Sequence, residues 1–408
     1  MINNDITNFE YLIDLLAEEY IVKISKKYNG DEHTKSFFTK NHLKLFMFSE
    51  IKALNSLHDM ESAMKHDENL NKIVPEVSYS TISRNDSERN PEIFVEIFKL
   101  AVEKLLLMPN KFSYGNNKDF GTIKILDSST VTLSLKLFPW ADYKSGIGGI
   151  KMHTLFDLAH LAPEEVKFTE AELHDVNVLS EMVKDSGVTY LYDRAYVKYK
   201  EADKQTLDGI YFVSRLKSNA IITVIEENTL PEGSTVLEDK TVILGSSKTK
   251  MNTKVRIILV MDERTQKTFY IVTNRFDLTA DEISELYKLR WKIELFFKFI
   301  KGHMKIKHFY GNSYNAVKTQ LFIAMTTYCL LMLFKLKNNL NCTLLELLRA
   351  VRHAPWGFFK DLIKLLKKNV QAKKRKIRKK VDWNNEYEIV LNEYFISDPW
   401  YDLQKMLI

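Results

Sequence analysis

Apolar positions along the chain change their period more than once, and each change marks a different kind of element. From Leu12 to Tyr28, Asn41 to Met60, Ser80 to Glu88 and Pro91 to Met108 they recur every three to four residues, which predicts helices. Asn29-Gly30-Asp31 and Pro75 break the pattern. Within SYSTISRNDSER, Ser78 or Ser80 suits a helix cap. The stretch SYGNNKDFG (113–121) closes this region, and beyond it the period falls to two or to short apolar runs. TIKILDSSTVTLS (122–134), KMHTLFDLA (151–159) and EEVKFTEAEL (164–173) predict strands, with WADYKSGIGG as a loop. A helix over Val178–Lys184 follows, then the compact run VTYLYD (188–193), typical of a buried central strand. KYKEADKQTL reads as helix and IYFVSRLK (210–217) as strand. IITVIEEN, STVLEDKTVIL, TKVRIILVMDE and TFYIVTNRF then alternate like strands, separated by PEGS, GSSKTKMN and ERTQK.

The helical period returns from Glu285 to Lys305, ELYKLRWKIELFFKFIKGHMK, read as one helix with no Gly or Pro until Gly302. Leu286, Leu289, Ile293, Phe296, Phe297 and Ile300 gather on one side of it. Tyr287, Arg290, Glu294 and Lys301 fall within roughly 60° of each other on the flank of that side. Taken alone, this is an amphipathic core helix with ordinary surface pairs along its edge. It also sets one carboxylate in a column with two cations and a phenol.

These shifts divide the chain into a helical region (1–112), two parts of an α/β core (113–218 and 279–340), an inserted β-rich block (219–278) and a helical, basic end (341–408). The β-β-β-α-β-α-β order of the core is that of a ribonuclease-H-like fold, with hairpin strands first and parallel crossovers after. The expected class is therefore α/β: a mixed sheet core with an inserted all-β domain and an N-terminal helical domain.

Composition is globular, at 45% hydrophobic and 12% aromatic over 408 residues, which excludes wholesale disorder and allows a sizeable core. Net charge is only +6, but Lys364–Lys380 (KLLKKNVQAKKRKIRKK) carries ten cations and no carboxylate. Such a run is a solvated tail or a phosphate-backbone contact. With only Cys329 and Cys342, a disulfide scaffold and a cysteine zinc site are both excluded, which suits a reducing cytoplasm. INNDITNFEYL lacks the plan of a signal peptide, and the apolar window Leu321–Leu336 reads as a buried helix, not a membrane span. There is no Walker loop and no nucleophile elbow, so ATP-driven and serine-hydrolase roles lack support.

Asp127 follows the apolar run IKIL, where the strand is expected to end, and Asp193 closes VTYLY. Catalytic groups in open α/β sheets gather at the carboxyl ends of strands. Either aspartate alone reads equally well as a turn or cap residue. Together with Glu294 they form a set of carboxylates that like-charge repulsion makes costly unless a cation neutralises it. Hard oxygen ligands suit Mg²⁺ or Mn²⁺. Two such ions about 3.5–4 Å apart would serve in-line phosphodiester displacement.

The spacing Tyr287, Arg290, Glu294, Lys301, the segment RWKIELFFKFIKGHMKIKHFYGNS and the two upstream aspartates resemble the bacterial insertion-sequence DDE transposases with the YREK signature. The resemblance covers about residues 8 to 340. It implies a ribonuclease-H-like catalytic core in which the first Asp follows the first strand, the second follows the fourth, and the Glu lies in the helix after an inserted β domain. Asp127, Asp193 and Glu294 fill those places as catalytic residues and metal ligands, for two Mg²⁺ per site with Mn²⁺ able to substitute. Tyr287, Arg290 and Lys301 would hold DNA phosphates, with Lys298 and Lys305 extending the track. Trp291 reads first as a core residue and second as a stack for an extruded base. YDRAYVKYK resembles the family's stretch around its second Asp, with Ala195 where Gly is usual. HDVN (174–177) is similar to the family as well, with His174 and Asp175 reading first as turn and cap residues. YNGDEHTKSFFTKNHLKLFMFSEI resembles the family's N-terminal helical domain, implying DNA contact by the helix that carries Arg84.

The activity implied is cut-and-paste transposition: hydrolysis at the transposon 3′ ends, a hairpin intermediate, and strand transfer. The implied partners are double-stranded DNA, as terminal inverted repeats and target, and a second copy of the chain in a synaptic dimer. The implied location is the bacterial cytoplasm, at the nucleoid, with no membrane role. Two other readings stay open: a metal-dependent DNA nuclease on the same fold, and a non-catalytic DNA-binding transposase relic.

Overall fold

In the computed structural model, which describes residues 6–109, 120–144, 147–170, 176–262, 266–304 and 306–378, the chain divides into two units. One comprises residues 1–108 and 303–408, the other 109–302. The first opens with α1 (Asn8–Asp14), α2 (Glu18–Lys27), α3 (Thr39–Lys52), α4 (Leu57–His66), α5 (Glu68–Ile73), α6 (Tyr79–Glu88) and α7 (Glu92–Leu106). Two long helices expected from periodicity are each split. The stretch Leu12–Tyr28 breaks at Ala17, which is extended and caps α2. Asn41–Met60 breaks where Ala53 takes a left-handed conformation (φ 57°) and Ser56 caps α4 by accepting from the Asp59 N–H. Periodicity persists across both breaks because the segments on either side still bury their apolar faces. Ser78 caps α6, its hydroxyl accepting from the Thr81 N–H.

The second unit is built on one ten-stranded sheet. Its strands are β1 (Ile123–Leu133), β2 (Asp142–Lys144), β3 (Ile147–Asp157), β4 (Ala162–Glu170), β5 (Thr189–Tyr192), β6 (Tyr211–Arg215), β7 (Ile222–Glu227), β8 (Glu238–Leu244), β9 (Val255–Asp262) and β10 (Lys267–Thr273). Helix α8 (Val176–Met182) precedes β5, α9 (Tyr199–Leu207) precedes β6, and α10 (Ala280–Leu289) and α11 (Trp291–His303) follow β10. The sheet runs β2-β3-β1-β5-β6-β10-β9-β8-β7, with β4 paired to β3. β1, β3 and β4 form an antiparallel meander, while β1, β5 and β6 are parallel. This is the ribonuclease-H-like plan. WADYKSGIGG, expected as a loop, contributes β2 and the start of β3, which pair as a hairpin.

The inserted block is all-β, and it extends the core sheet: β10 pairs antiparallel with β6, Thr273 opposite Val213 and Ile271 opposite Arg215. Asn274 fastens the junction, accepting from the Phe212 N–H at 2.9 Å and donating to the Ile210 carbonyl at 2.8 Å. Inside the insertion, Arg256 on β9 and Asp239 on β8 form a buried pair at 2.5 Å. Its guanidinium also donates to the carbonyls of Arg275 and Leu278, so the buried charge is fully engaged.

Alternation along the strands sorts the sheet's two faces. Leu126, Tyr190, Tyr192 and Phe212 share one apolar cluster with Val178, Leu179 and Met182 of α8 and Ala202 of α9. On the other face Phe156 meets Phe296 of α11, ring centroids 5.3 Å apart.

The chain returns to the helical unit with α12 (Tyr314–Lys337), α13 (Leu344–His353) and α14 (Phe359–Arg378). The boundary at Gly302/His303 falls inside the segment 279–340 that the sequence groups with the core. Helix α12 is long and apolar enough to cross a membrane, yet 94% of its most apolar window is buried inside the protein. It is a core helix, as the interruptions by Thr, Tyr and Lys suggest. Cys329 and Cys342 are both buried and free. The aromatic end of the chain (381–408) lies outside the described residues.

Candidate active site

The site begins with strand register. β1 and β5 run parallel from Ile123 opposite Thr189 to Leu126 opposite Tyr192, where their pairing ends. The next residue on each strand is an aspartate, so Asp127 and Asp193 stand side by side. Both have their predecessors' side chains in the apolar cluster on one face. Alternation therefore turns the two carboxylates to the opposite face, the one α11 covers. Asp193 keeps an extended backbone (φ −76°, ψ 161°) before a 3-10 turn over Arg194–Tyr196. That turn includes Ala195 with no positive φ, so the usual Gly is not needed for backbone freedom here. Asp127 departs from expectation in one respect. β1 does not end there but continues to Leu133, with Asp127 opposite Thr154 of β3. The strand that ends is its parallel neighbour, and that leaves Asp127 uncovered on one side.

Helix α10 starts with a capping box: Thr279 accepts from the Glu282 N–H, and Glu282 accepts from the Thr279 N–H at 2.7 Å. The helix expected to run unbroken from Glu285 to Lys305 is interrupted at Arg290. There the Arg290 N–H donates to the Tyr287 carbonyl and the Ile293 N–H to the Arg290 carbonyl. These bonds to the third residue back tighten the turn and separate α10 from α11. Leu286, Ile293, Phe296, Phe297 and Ile300 are nonetheless all buried, so the apolar stripe survives the break.

Arg290 is the hub. Its guanidinium donates to Asp127 Oδ2 at 3.0 Å and to Glu294 Oε1 at 2.6 Å, and lies over the Tyr287 ring at 5.9 Å. The structure thus joins Asp127, Glu294, Arg290 and Tyr287 directly. Burial above all raises the Asp127 carboxyl, Arg290 and the Ser128 N–H pull it down, the charges of Glu294 and Asp193 add to the rise, and the net result is about 6. Burial also raises the Tyr287 phenol, opposed by Arg290 and reinforced by Asp193. Burial works against the charge on Arg290, but Tyr287, Asp127 and Glu294 together outweigh it and hold it above its ordinary value. The three carboxylates therefore share one electrostatic neighbourhood. Among the described residues no three acidic, His or Cys side chains form a ready-made metal cage.

The remaining expected residues scatter more widely. Lys301 donates to the Thr130 carbonyl of β1 at 2.8 Å, farther along the strand from Asp127. Lys298 is exposed. Trp291, expected first in the core, is 52% exposed, because the break at Arg290 leaves it at the start of α11, off the buried stripe. Arg84 is exposed on α6 in the helical unit, on the side that also exposes Ser80. Lys305, His174 and Asp175 lie outside the described residues. One residue was missed. Tyr192 is opposite Ser214, so Arg215 follows Asp193 in the same row, at the end of β6. Its signal in the sequence was a lone cation closing the apolar strand IYFVSR.

Two aspartates thus stand side by side where β1 and β5 stop pairing, and a helix brings a glutamate to the same face, joined to one of them through an arginine. Residues 118–330 match the family described as the transposase DDE domain, and the chain belongs to it. Residues 4–73 match a domain of unknown function. A protein named "Putative transposase y4zB" from Sinorhizobium fredii is 34% identical over 55% of this chain and 64% of its own length, so the match spans just under two thirds of that relative. A "Probable transposase" for an insertion sequence element of Geobacillus stearothermophilus is 26% identical over 78% of this chain and 82% of its own. A similarly named insertion-sequence protein of Synechocystis is 25% identical over 68% and 77%.

Proposed function

We propose that this protein is the transposase of a bacterial insertion sequence with the YREK signature, and that Asp127, Asp193 and Glu294 are its catalytic carboxylates. The observation that carries the reading is the side-by-side placement of Asp127 and Asp193, with Glu294 tied to Asp127 through Arg290. In this reading the helical unit supplies end recognition, with the exposed Arg84 on α6 among its contacts.

The donor set fits a hard divalent cation such as Mg²⁺ or Mn²⁺. All three groups are carboxylates, and their mutual repulsion is at present answered by a guanidinium. Mg²⁺ takes one or two protein carboxylates and keeps waters, so a complete protein cage is not required. When bound, the ions would activate the attacking oxygen and stabilise the leaving one in phosphodiester displacement. The chain's own residues do the rest. Asp127 and Asp193 present their oxygens from rigid strands, and Glu294 from a packed helix. Arg290 and Tyr287 hold the DNA backbone beside them, with Lys301 and Lys298 farther along the helix. The partner is double-stranded DNA: the terminal inverted repeats bound by a synaptic dimer, cut through a hairpin, then joined to target DNA in the bacterial cytoplasm.

The test is a cleavage and joining assay with Mg²⁺ or Mn²⁺ on DNA carrying the inverted repeats that flank the gene, with Glu294→Ala protein as control. Metal-dependent nicking at the repeat end and joined product are expected. Nicking without joining would make the protein a nuclease, and binding without cutting a relic.

A further inference from the structure

The row that begins with Asp127 and Asp193 has a third member whose charge is unspent. Parallel register places Ser214 opposite Tyr192, so Arg215 stands beside Asp193, about 4.8 Å away in strand spacing. It points to the same face, because Ser214 and Tyr192 are paired and each is followed by one extended step. Across the insertion junction Arg215 is opposite Ile271, and its diagonal neighbour on β10 is Phe269. The guanidinium carbon lies 4.5 Å from the centre of the Phe269 ring. That ring in turn lies 6.0 Å from the ring of Tyr287 on α10.

The arginines of this unit differ in what they hold. Arg256 is paired with Asp239, Arg275 with Asp277, and Arg290 with Asp127 and Glu294. Arg215 is half-buried and has no ion pair among the described residues. A guanidinium held over an aromatic face is not spent on a carboxylate, and its N–H groups can make the bidentate contact that a phosphate accepts. Without cations a site with three carboxylates repels a DNA strand, and Arg290 divides its charge between two of them and the backbone it would hold. A cation in the same row and not so engaged is what the substrate needs.

We propose that Arg215, held on the Phe269 shelf, binds a backbone phosphate of the DNA strand next to the one being cut. The proposal rests on the transposase reading of the site. It assigns the junction between core sheet and insertion a part in substrate binding, since Arg215 belongs to the core and Phe269 to the insertion.

The test uses the full chain and duplex DNA carrying the flanking inverted repeat. Arg215→Ala should weaken binding about ten- to hundredfold and lower the salt dependence of binding by about one phosphate contact. Arg215→Lys should restore the salt dependence but not all of the affinity, and Phe269→Leu should weaken binding with the charge intact. Arg215→Gln, which keeps the stem and a polar head, serves if the alanine variant does not fold. A second measurement replaces single phosphates near the cut with uncharged methylphosphonates. One such position should cost the wild type affinity and cost Arg215→Gln nothing further.

Unchanged affinity and salt dependence in folded Arg215→Gln would overturn the proposal. So would equal losses for wild type and variant at every methylphosphonate. A wild type that binds without cutting would sink the transposase reading alone, since the Arg215 contact would still show in the salt dependence. A wild type that binds no DNA would sink both.

Discussion

Two arginine–carboxylate clusters invite comparison, one in each unit. In the helical unit Arg89 donates to His42 Nδ1 at 2.9 Å, to the Phe37 carbonyl at 2.8 Å and to the Gly30 carbonyl at 3.1 Å. His42 Nε2 lies 3.3 Å from Asp86, and the His42 and Asp86 side chains are 0% and 1% exposed. Burial drives both toward neutrality, lowering the imidazole well below its usual value and raising the Asp86 carboxyl well above its own. In the sheet unit Arg290, Asp127 and Glu294 are 17%, 17% and 32% exposed. The first cluster is held mainly by backbone carbonyls, with the Asp31 carboxylate at its edge 3.4 Å from Arg89, and it ties loops to helices. The second ends on carboxylates, Asp127 of β1 and Glu294 of α11, that reach water beside the end of β5. Strong perturbation alone does not mark a site; the distinction lies in what the charges face.

The comparison can be broken at three points. The largest effect is expected at Asp193: Asp193→Ala should reduce cleavage on the order of a thousandfold or more, by loss of several kcal/mol of transition-state stabilisation. End binding and melting temperature should stay near wild type. Retained cleavage would remove Asp193 from the site. Next, Arg89→Ala should destabilise the protein by about 3–5 kcal/mol, because it strips a buried, fully bonded charge from its partners. Urea unfolding would measure it, and cleavage per folded molecule should not change.

The smallest effect runs the other way. Asp127 has a folded value of about 6 against an ordinary 3.8, so the native state binds the extra proton between these values. Stability contributed by the group is therefore lost as pH rises through that window. Asp127→Asn should stabilise the metal-free protein at pH 7 by up to about 3 kcal/mol, the gain fading toward pH 4. Thermal melts from pH 4 to 8 would show it, and a destabilised variant would contradict the burial argument. At limiting Mg²⁺, cleavage by the wild type should fall as pH drops toward 6 and below, because a proton on Asp127 competes with the metal, and added Mg²⁺ should restore it.

Much of this was legible in the sequence, for definite reasons. Asp127 and Asp193 could be found because short apolar runs of buried strands end abruptly in acid. The stripe from Leu286 to Ile300 could be found because burial enforces its period. The break at Arg290 could not, since no Gly or Pro marks it and the stripe runs straight through. The length of β1 was legible in TIKILDSSTVTLS, but the placement of Asp127 inside that strand, beside the end of β5, was not, since only the pairing shows it. Arg215 escaped because its meaning lies in register: only the pairing of β5 with β6 sets it beside Asp193. Trp291 was misjudged for the same reason as the break, its position having been counted along an unbroken helix.

The junction between β6 and β10 also governs how the chain comes off the ribosome. Once β6 has been made, roughly 60 residues must follow before β10 arrives to cover its open edge, which takes about 3–12 seconds at bacterial translation speeds. For that interval a central strand carries unpaired backbone groups and a ready template for a foreign strand. Glu294 emerges later still. The nascent chain therefore passes through an aggregation-prone stage before Asp127, Asp193 and Glu294 can be brought together, and yield on synthesis should depend on how fast the insertion folds back.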